Sequence, residues 1–142
     1  MSGEYAAGPV RKILVVDDDK VILKTLSLEL ERADYRVFTA LDGAEAVAAA
    51  RKESPDLILM DICLPPAVEG VPWDGFRVMD WLRRLDGENK IPIIIITGSD
   101  DPKIKERAMT CKAAAFFHKP IDHHDLLTVI RSVLGSPGGN GL

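Results

Sequence analysis

Three stretches of the chain, at residues 12–17, 57–60 and 93–96, are rich in apolar residues that do not alternate with polar ones. Such a run is typical of a parallel strand that is covered on both faces. We therefore expect these stretches at the centre of a sheet. Two segments that are shorter or more polar, at residues 35–39 and 115–119, are typical of edge strands.

Between these segments, apolar residues recur with the spacing of amphipathic helices. Asp42 and Glu45 form a pattern typical of a capping box at the start of one helix, and Asp122 can cap the last. The predicted helices cover residues 19–32, 44–52, 75–85, 102–112 and 122–134.

The predicted elements alternate as five strand-helix repeats. Alternation with short connections indicates a parallel sheet with right-handed crossovers and helices on both faces. The predicted fold class is therefore α/β: a single domain built on a doubly wound, five-stranded parallel sheet. Ligands of such sheets bind beyond the carboxyl ends of the strands, where the strand order reverses.

The composition fits one globular domain, since 142 residues with 46% hydrophobic side chains can form a real core. A net charge of -4 argues against direct nucleic-acid binding, which calls for a clustered basic face. Cys63 and Cys111 are too few for a disulfide framework, and no signal peptide is evident, so we expect a cytoplasmic protein. No apolar run is long enough for membrane insertion.

The two ends of the chain are rich in small residues and glycine. We expect residues 1–10 to form a flexible N-terminal tail and residues 11–134 to form the domain. Residues 135–142 are expected to be a flexible tail or the start of a linker.

Polar residues close four of the apolar runs at their carboxyl ends. They are Asp17, Asp18, Asp61, Thr97 and Lys119. A buried carboxylate is costly without compensation, and several carboxylates together indicate a site for a hard divalent cation such as Mg²⁺. An aspartate can also act as a nucleophile toward phosphorus, while a lysine and a hydroxyl can stabilise the phosphoryl oxygens.

At these positions the chain carries four motifs that together resemble those of receiver domains of two-component response regulators. The motifs are Val16-Asp17-Asp18-Asp19, Leu59-Met60-Asp61-Ile62-Cys63-Leu64-Pro65, Ile95-Ile96-Thr97-Gly98 and Phe116-Phe117-His118-Lys119-Pro120. The likeness covers residues 11–134, and four motifs in register with the repeats are far more specific than one. The resemblance implies a flavodoxin-like strand order, 2-1-3-4-5.

The resemblance also implies a role for each acidic residue. Asp61 is expected to be the phosphoacceptor. Asp18 is expected to bind Mg²⁺ (or Mn²⁺) directly and Asp17 through water, with Asp61 and the backbone carbonyl of Cys63 completing the protein ligands. By the same likeness Thr97 and Lys119 are expected to contact phosphoryl oxygens.

A switch is implied as well. On phosphorylation Thr97 is expected to move toward the new oxyanion, and Phe116 to rotate into the vacated space. The peptide bond before Pro120 is expected to be cis. Because phenylalanine lacks a hydroxyl, any hydrogen bond that a tyrosine would make at this position is lost.

The implied partners are a sensor histidine kinase or a histidine phosphotransfer protein, which would meet the first helix and the loops at the site. A downstream effector protein would bind the face formed by residues 102–134. We expect a stand-alone signalling receiver, in the manner of chemotaxis regulators, and not an enzyme beyond its own phosphorylation and autodephosphorylation.

The chain departs from the family pattern between Asp61 and Asp74-Gly75, where residues 66–73 form an insertion rich in proline. It could be a tolerated surface loop. It could instead be a lid in which Trp73 shields the acyl phosphate or contacts a kinase.

Two other functions are compatible with part of this pattern. Asp17-Asp18-Asp19-Lys20-Val21 also satisfies the pattern of haloacid-dehalogenase-like phosphatases, with Asp17 as the nucleophile. Asp61 would then have no role, and residues 119–142 lack the adjacent acidic pair that this family generally carries. A pseudo-receiver would act without phosphorylation, but none of the site residues is missing.

We expect no chemistry from the other polar clusters. His118, His123 and His124 fit a strand position and a helix start, where solvated histidines are common. Arg83-Arg84 is expected to be a solvated helix face.

Overall fold

The computed structural model describes residues 10–62, 75–86 and 91–135, without the side chains of residues 85 and 86. The predicted insertion at 66–73, Cys63 and most of both tails lie outside these residues. The strands are β1 (Lys12–Val16), β2 (Arg36–Ala40), β3 (Leu57–Asp61), β4 (Ile93–Thr97) and β5 (Ala115–His118). The helices are α1 (Lys20–Arg32), α2 (Gly43–Glu53), α3 (Gly75–Asp86), α4 (Pro102–Thr110) and α5 (His123–Leu134).

The five strands form one parallel sheet in the order β2-β1-β3-β4-β5. The predicted fold class and strand order are therefore confirmed. The central strands β3 and β4 are buried at every position, as their continuous apolar runs predicted. The edge strands β2 and β5 are only partly buried.

The sheet separates two apolar layers. Residues of β1 point alternately to the two sides, so that Leu14 and Val16 join one layer while Ile13 and Val15 join the other. The first layer packs against α2, α3 and α4, and the second against α1 and α5. Helices thus cover both faces of the sheet, which explains why the inner strands β1, β3 and β4 contain almost no polar residues.

Side-chain caps fix the starts of the helices. The predicted cap of α2 is present: Asp42 Oδ1 accepts from the Glu45 amide at 2.8 Å. Glu45 Oε1 accepts from the Leu41 amide at 3.1 Å, one residue before the N-cap amide that a strict capping box uses. Asp122 caps α5 as predicted, and Asp19 caps α1. In the described part of the chain, no helix combines the length and the apolar character needed to cross a membrane.

The prediction that Arg83 and Arg84 form a solvated helix face is wrong for Arg83. Arg84 is exposed, but Arg83 is half-buried and donates hydrogen bonds to the backbone carbonyls of Cys111 and Lys112. The prediction failed because those acceptors are supplied by a distant segment that follows α4. That helix also ends earlier than predicted, at Thr110, since Lys112 adopts a left-handed φ of 61°.

Candidate functional site

The predicted site residues converge at one edge of the sheet. Asp17 directly follows β1, Asp61 ends β3, Thr97 ends β4 and Lys119 directly follows β5. Because β1, β3, β4 and β5 are neighbours in a parallel sheet, their carboxyl ends lie side by side. The strand order therefore assembles residues that are far apart in the sequence.

Asp17, Asp18 and Asp61 form an acidic cluster. One carboxylate oxygen from each lies within 4.8 Å of the others. Asp17 and Asp61 are each only 3% exposed, while Asp18 is exposed. A set of oxygen donors with one solvent-facing member fits Mg²⁺, which prefers carboxylates and retains water ligands.

Lys119 is the internal cation of this cluster. Its Nζ donates to Asp17 Oδ2 at 2.9 Å and to Asp61 Oδ2 at 3.1 Å. Burial of the ammonium acts to lower its pKa, but the hydrogen bond to Asp17 and the charge of Asp61 outweigh burial and raise the pKa of Lys119. The ammonium is therefore charged at neutral pH and offsets the two buried carboxylates.

The backbone at the start of α1 orients Asp17. The Asp19 amide donates to Asp17 Oδ1 at 2.9 Å, and the Asp17 amide donates to the Ala40 carbonyl at 3.1 Å. Asp19 also caps α1 through its own side chain, which accepts from the Val21 amide at 2.9 Å. The sequence predicted a helix that begins at Asp19, whereas the structure places Asp19 one residue before α1 as its cap.

Thr97 is fully buried at the end of β4. Its Oγ1 accepts from the Ser99 amide at 3.0 Å, and its carbonyl accepts from the Lys119 amide at 2.8 Å. A hydroxyl can accept one hydrogen bond and donate another, so this geometry is compatible with donation to a phosphoryl oxygen. The Lys119–Pro120 peptide bond is cis, as predicted.

The predicted switch residue Phe116 is partly buried on β5, where it pairs in register with Ile95 and packs against the apolar layer that includes α3 and α4. Phe116 therefore lies on the strand next to β4, the strand that ends at Thr97.

His118 pairs in register with Thr97, and its Nε2 lies 2.8 Å from Asp100 Oδ1. This contact was not expected, because Asp100 precedes α4 and lies on a different segment from β5.

The start of α3 is held directly against the end of β3. The Gly75 amide donates to the Ile62 carbonyl at 2.9 Å. A Cβ at Gly75 would overlap Ile62 Cα and lie 2.9 Å from the Asp61 carbonyl oxygen. Glycine is therefore required at position 75, because its backbone approaches the backbone of Asp61 and Ile62 too closely for a side chain. In the sequence, Gly75 comes shortly after the predicted insertion at residues 66–73.

A sequence profile of the response regulator receiver domain matches residues 13–131. This span includes every residue of the acidic cluster, together with Thr97 and Lys119. The chain belongs to this family. Its members act in two-component signal transduction, and the acidic pocket in which they bind Mg²⁺ corresponds to the cluster of Asp17, Asp18 and Asp61. Membership removes the haloacid-dehalogenase alternative.

Similar proteins include both short and long chains. Protein PilH from Pseudomonas aeruginosa is 34% identical over 123 residues, which are 87% of this chain and 97% of PilH. The DNA-binding dual master transcriptional regulator RpaA from Synechocystis is also 34% identical over 123 residues, but these are 48% of RpaA. The receiver therefore spans about half the length of several proteins that it matches.

Solved structures show the same fold. Chemotaxis protein CheY4 of Vibrio cholerae superposes with a TM-score of 0.77 at 30% identity, covering 88% of this receiver and 99% of CheY4. A receiver domain protein of Methanospirillum hungatei also superposes with a TM-score of 0.77, at 28% identity, over 87% of this receiver and 93% of that chain.

Proposed function

We propose that this receiver is a phosphorylation switch whose phosphoacceptor is Asp61. The observation that carries the proposal is the position of Lys119, which contacts both Asp61 and Asp17 at the rim of the sheet. A buried acid beside a fixed ammonium, with the buried Thr97 on the neighbouring strand, offers a nucleophile and two groups for phosphoryl oxygens.

In the proposed reaction a carboxylate oxygen of Asp61 attacks the phosphorus of a phosphohistidine. The new oxygen–phosphorus bond forms while the phosphorus–nitrogen bond breaks, and the imidazole nitrogen keeps the electron pair. Lys119 and Thr97 would stabilise the phosphoryl oxygens through charge and hydrogen bonding. The acyl phosphate that results is read as a signal and not released as a product.

The metal site is assigned to Asp17, Asp18 and Asp61, with the backbone carbonyl of Cys63 as a further predicted ligand. When bound, Mg²⁺ (or Mn²⁺) supplies positive charge that offsets the phosphoryl oxygens. The residues themselves orient the site: Asp19 holds Asp17 through its amide, and Lys119 keeps the buried Asp17 and Asp61 from repelling each other.

The proposed readout couples Thr97 to Phe116. Movement of the Thr97 hydroxyl toward a phosphoryl group would open space on the β5 side, and rotation of the Phe116 ring would fill it. The face formed by residues 102–134 would then change its affinity for an effector protein. The partial exposure of Phe116 supports this proposal, because its ring is not locked inside the core.

The phosphoryl donor is proposed to dock beside α1. An open groove of about 450 Å³ lies next to Lys119 and is mostly apolar. Its lining comprises Val21, Ile22, Thr25, Leu26, Lys119, Pro120, Ile121 and His123. Val21 is 72% exposed there, although it is a large apolar residue. A histidine kinase or phosphotransfer protein that covered this groove would bring its phosphohistidine to the rim that carries Asp61.

Three broader expectations belong to this proposal. We place the domain at residues 11–134, flanked by tails, and we place the protein in the cytoplasm, as two-component signalling suggests. We further propose that the receiver is a signalling module and not an enzyme acting on other substrates.

The experiment that tests the proposal is incubation with Mg²⁺ and acetyl phosphate, followed by intact-mass and peptide mass spectrometry. We expect one added phosphoryl group, located on Asp61, and none in Asp61→Asn. Omission of Mg²⁺ should abolish the gain. Phosphate on Asp17, or no gain with Mg²⁺ present, would refute the phosphoacceptor assignment, and the second result would favour a pseudo-receiver.

A further inference from the structure

Helix α4 is held to the protein by little apolar burial. Among its nine residues, all of which the structure describes, Ala108 alone is buried. Ile104 is partly buried, whereas Met109 is 72% exposed. An element with so few buried apolar contacts has a low free energy of local displacement unless other contacts retain it.

Arg83 supplies such contacts at the C-terminal end of α4. From α3, its guanidinium donates one hydrogen bond to the Cys111 carbonyl and another to the Lys112 carbonyl at 3.1 Å. Carbonyls at a helix C-terminus lack partners within the helix, and a cation there also interacts favourably with the helix dipole. Arg83 therefore satisfies acceptors that would otherwise depend on water.

Arg107 supplies a second contact, in the opposite direction. From α4, its guanidinium lies 4.3 Å from the centroid of the Phe76 ring in the first turn of α3. Phe76 is 5% exposed, so the arginine covers a nearly buried aromatic face. We call the contacts made by Arg83 and Arg107 the α3–α4 brace.

The other end of α4 is connected to the candidate site by a series of hydrogen bonds. Thr97 Oγ1 accepts from the Ser99 amide at 3.0 Å, and Ser99 Oγ accepts from the Asp101 amide at 3.2 Å. Asp101 Oδ1 then accepts from the Lys103 amide at 3.0 Å and caps α4. A displacement of the Thr97 hydroxyl therefore acts on the N-terminal end of a helix whose C-terminal end is braced.

We propose that Arg83 is a positioning residue that holds α4 in its resting place and so sets the equilibrium between the resting and the phosphorylated packing. The inference rests on the proposed function, since it assigns a regulatory element to that switch. We take the packing in which Lys119 bridges Asp17 and Asp61 as the resting one. A ligand that favours the other packing must then spend part of its binding free energy on disrupting the α3–α4 brace, which lowers its apparent affinity.

The test compares Arg83→Met with the matched variant Arg84→Met, which removes an exposed arginine from the same helix. The probe is beryllofluoride in the presence of Mg²⁺, a mimic of the phosphoryl group, and its affinity is measured by titration. We expect Arg83→Met to bind it about fivefold more tightly than wild type, because loss of two hydrogen bonds destabilises the resting packing. Arg84→Met should bind like wild type.

Two further measurements separate positioning from a merely structural role. Hydrogen exchange should become faster in α4 of Arg83→Met, while β3 and β4 keep their protection, which shows that the fold is intact. Arg83→Lys keeps the charge but cannot reproduce the planar fork of a guanidinium, so its affinity for beryllofluoride should lie between those of wild type and Arg83→Met.

The possible failures can be told apart. If wild type binds beryllofluoride and Arg83→Met binds it with equal or lower affinity, the role of Arg83 is overturned and the phosphorylation switch stands. If wild type does not bind beryllofluoride with Mg²⁺ at all, the proposed function itself is overturned.

Discussion

Asp17 and Asp61 are almost without solvent exposure, and both accept a hydrogen bond from Lys119. Two carboxylates this close together repel each other, and the charged ammonium of Lys119 offsets that repulsion. At the residue scale, Lys119 is therefore part of the resting site as well as a candidate contact for a phosphoryl oxygen.

Gly75 yields a prediction at the same scale. Gly75→Ala should lower the free energy of unfolding by about 2–3 kcal/mol, because the added Cβ overlaps Ile62 Cα and crowds the Asp61 carbonyl. It should also reduce phosphorylation of Asp61 by displacing the end of β3. Urea unfolding and the acetyl phosphate assay measure the two effects.

Gly98→Ala is the matched control, because the nearest atom to its Cβ would be Lys119 Cδ at 3.9 Å, an ordinary contact. Its free energy of unfolding should stay within about 0.5 kcal/mol of wild type. Equal losses in the two variants would show that helix or loop propensity, and not the backbone contact at Ile62, determines the requirement for glycine.

At the scale of elements, the strands and α4 are anchored in different ways. β3 and β4 are buried throughout, so their ends present Asp61 and Thr97 from a rigid base. α4 is retained largely by its cap, by the brace and by the hydrogen bonds that lead back to Thr97. The helix that we propose to move, α4, therefore lies next to the buried strands β3 and β4, which hold Asp61 and Thr97 in place.

Removal of the Asp101 cap tests this contrast. Asp101→Ala should cost about 1 kcal/mol of stability, since the Lys103 amide loses its acceptor. Because Asp101 also lies at the end of the hydrogen-bond series from Thr97, the variant should change the affinity for beryllofluoride as well. Urea unfolding and titration with the mimic provide the measurements.

Asp122→Ala is the control for the cap, because Asp122 accepts from the His124 and Asp125 amides at the start of α5. It should cost a similar free energy of unfolding and leave the affinity for the mimic unchanged. An effect of Asp122→Ala on the mimic as large as that of Asp101→Ala would contradict a specific link between Thr97 and α4.

At the scale of the whole molecule, two groups couple stability to alkaline pH. Burial acts to lower the pKa of Lys119, but the hydrogen bonds and charges of Asp17 and Asp61 together outweigh burial and raise this pKa above 10.5. For Tyr35, burial has the opposite effect and raises the pKa above 10.0, and the Tyr35 hydroxyl has no hydrogen-bond partner in the described part of the chain. In both cases the folded state holds a proton more tightly than the unfolded state.

The free energy of unfolding should therefore be insensitive to these two groups between pH 7 and 9 and should fall above about pH 10, as the unfolded state releases protons. Tyr35→Phe should make the fall shallower and should leave stability at pH 7 equal or higher, since a buried hydroxyl without a partner is costly. Urea unfolding across this pH range measures both. An unchanged alkaline slope in Tyr35→Phe would exclude the tyrosine contribution.

Much of the fold follows from local patterns in the sequence. The uninterrupted apolar runs at residues 57–60 and 93–96 correspond to buried strands, and Asp42, Glu45 and Asp122 mark helix starts correctly. The motifs that contain Asp61, Thr97 and Lys119 indicated the family, which the profile match confirms. These features could be predicted because strand burial and helix capping depend on residues that are close in the chain.

The contacts that join distant segments were decided by the tertiary structure. Lys119 contacts Asp17 and Asp61 because the strand order brings β1, β3 and β5 to the same rim. Arg83 was misread as solvated, because its acceptors are carbonyls beyond α4 that no local pattern associates with α3. The sequence by itself determined which elements form and in which order, although α4 ends earlier than its pattern predicted. Packing of helices across the sheet decided which of their residues meet, because such distances depend on the fold as a whole.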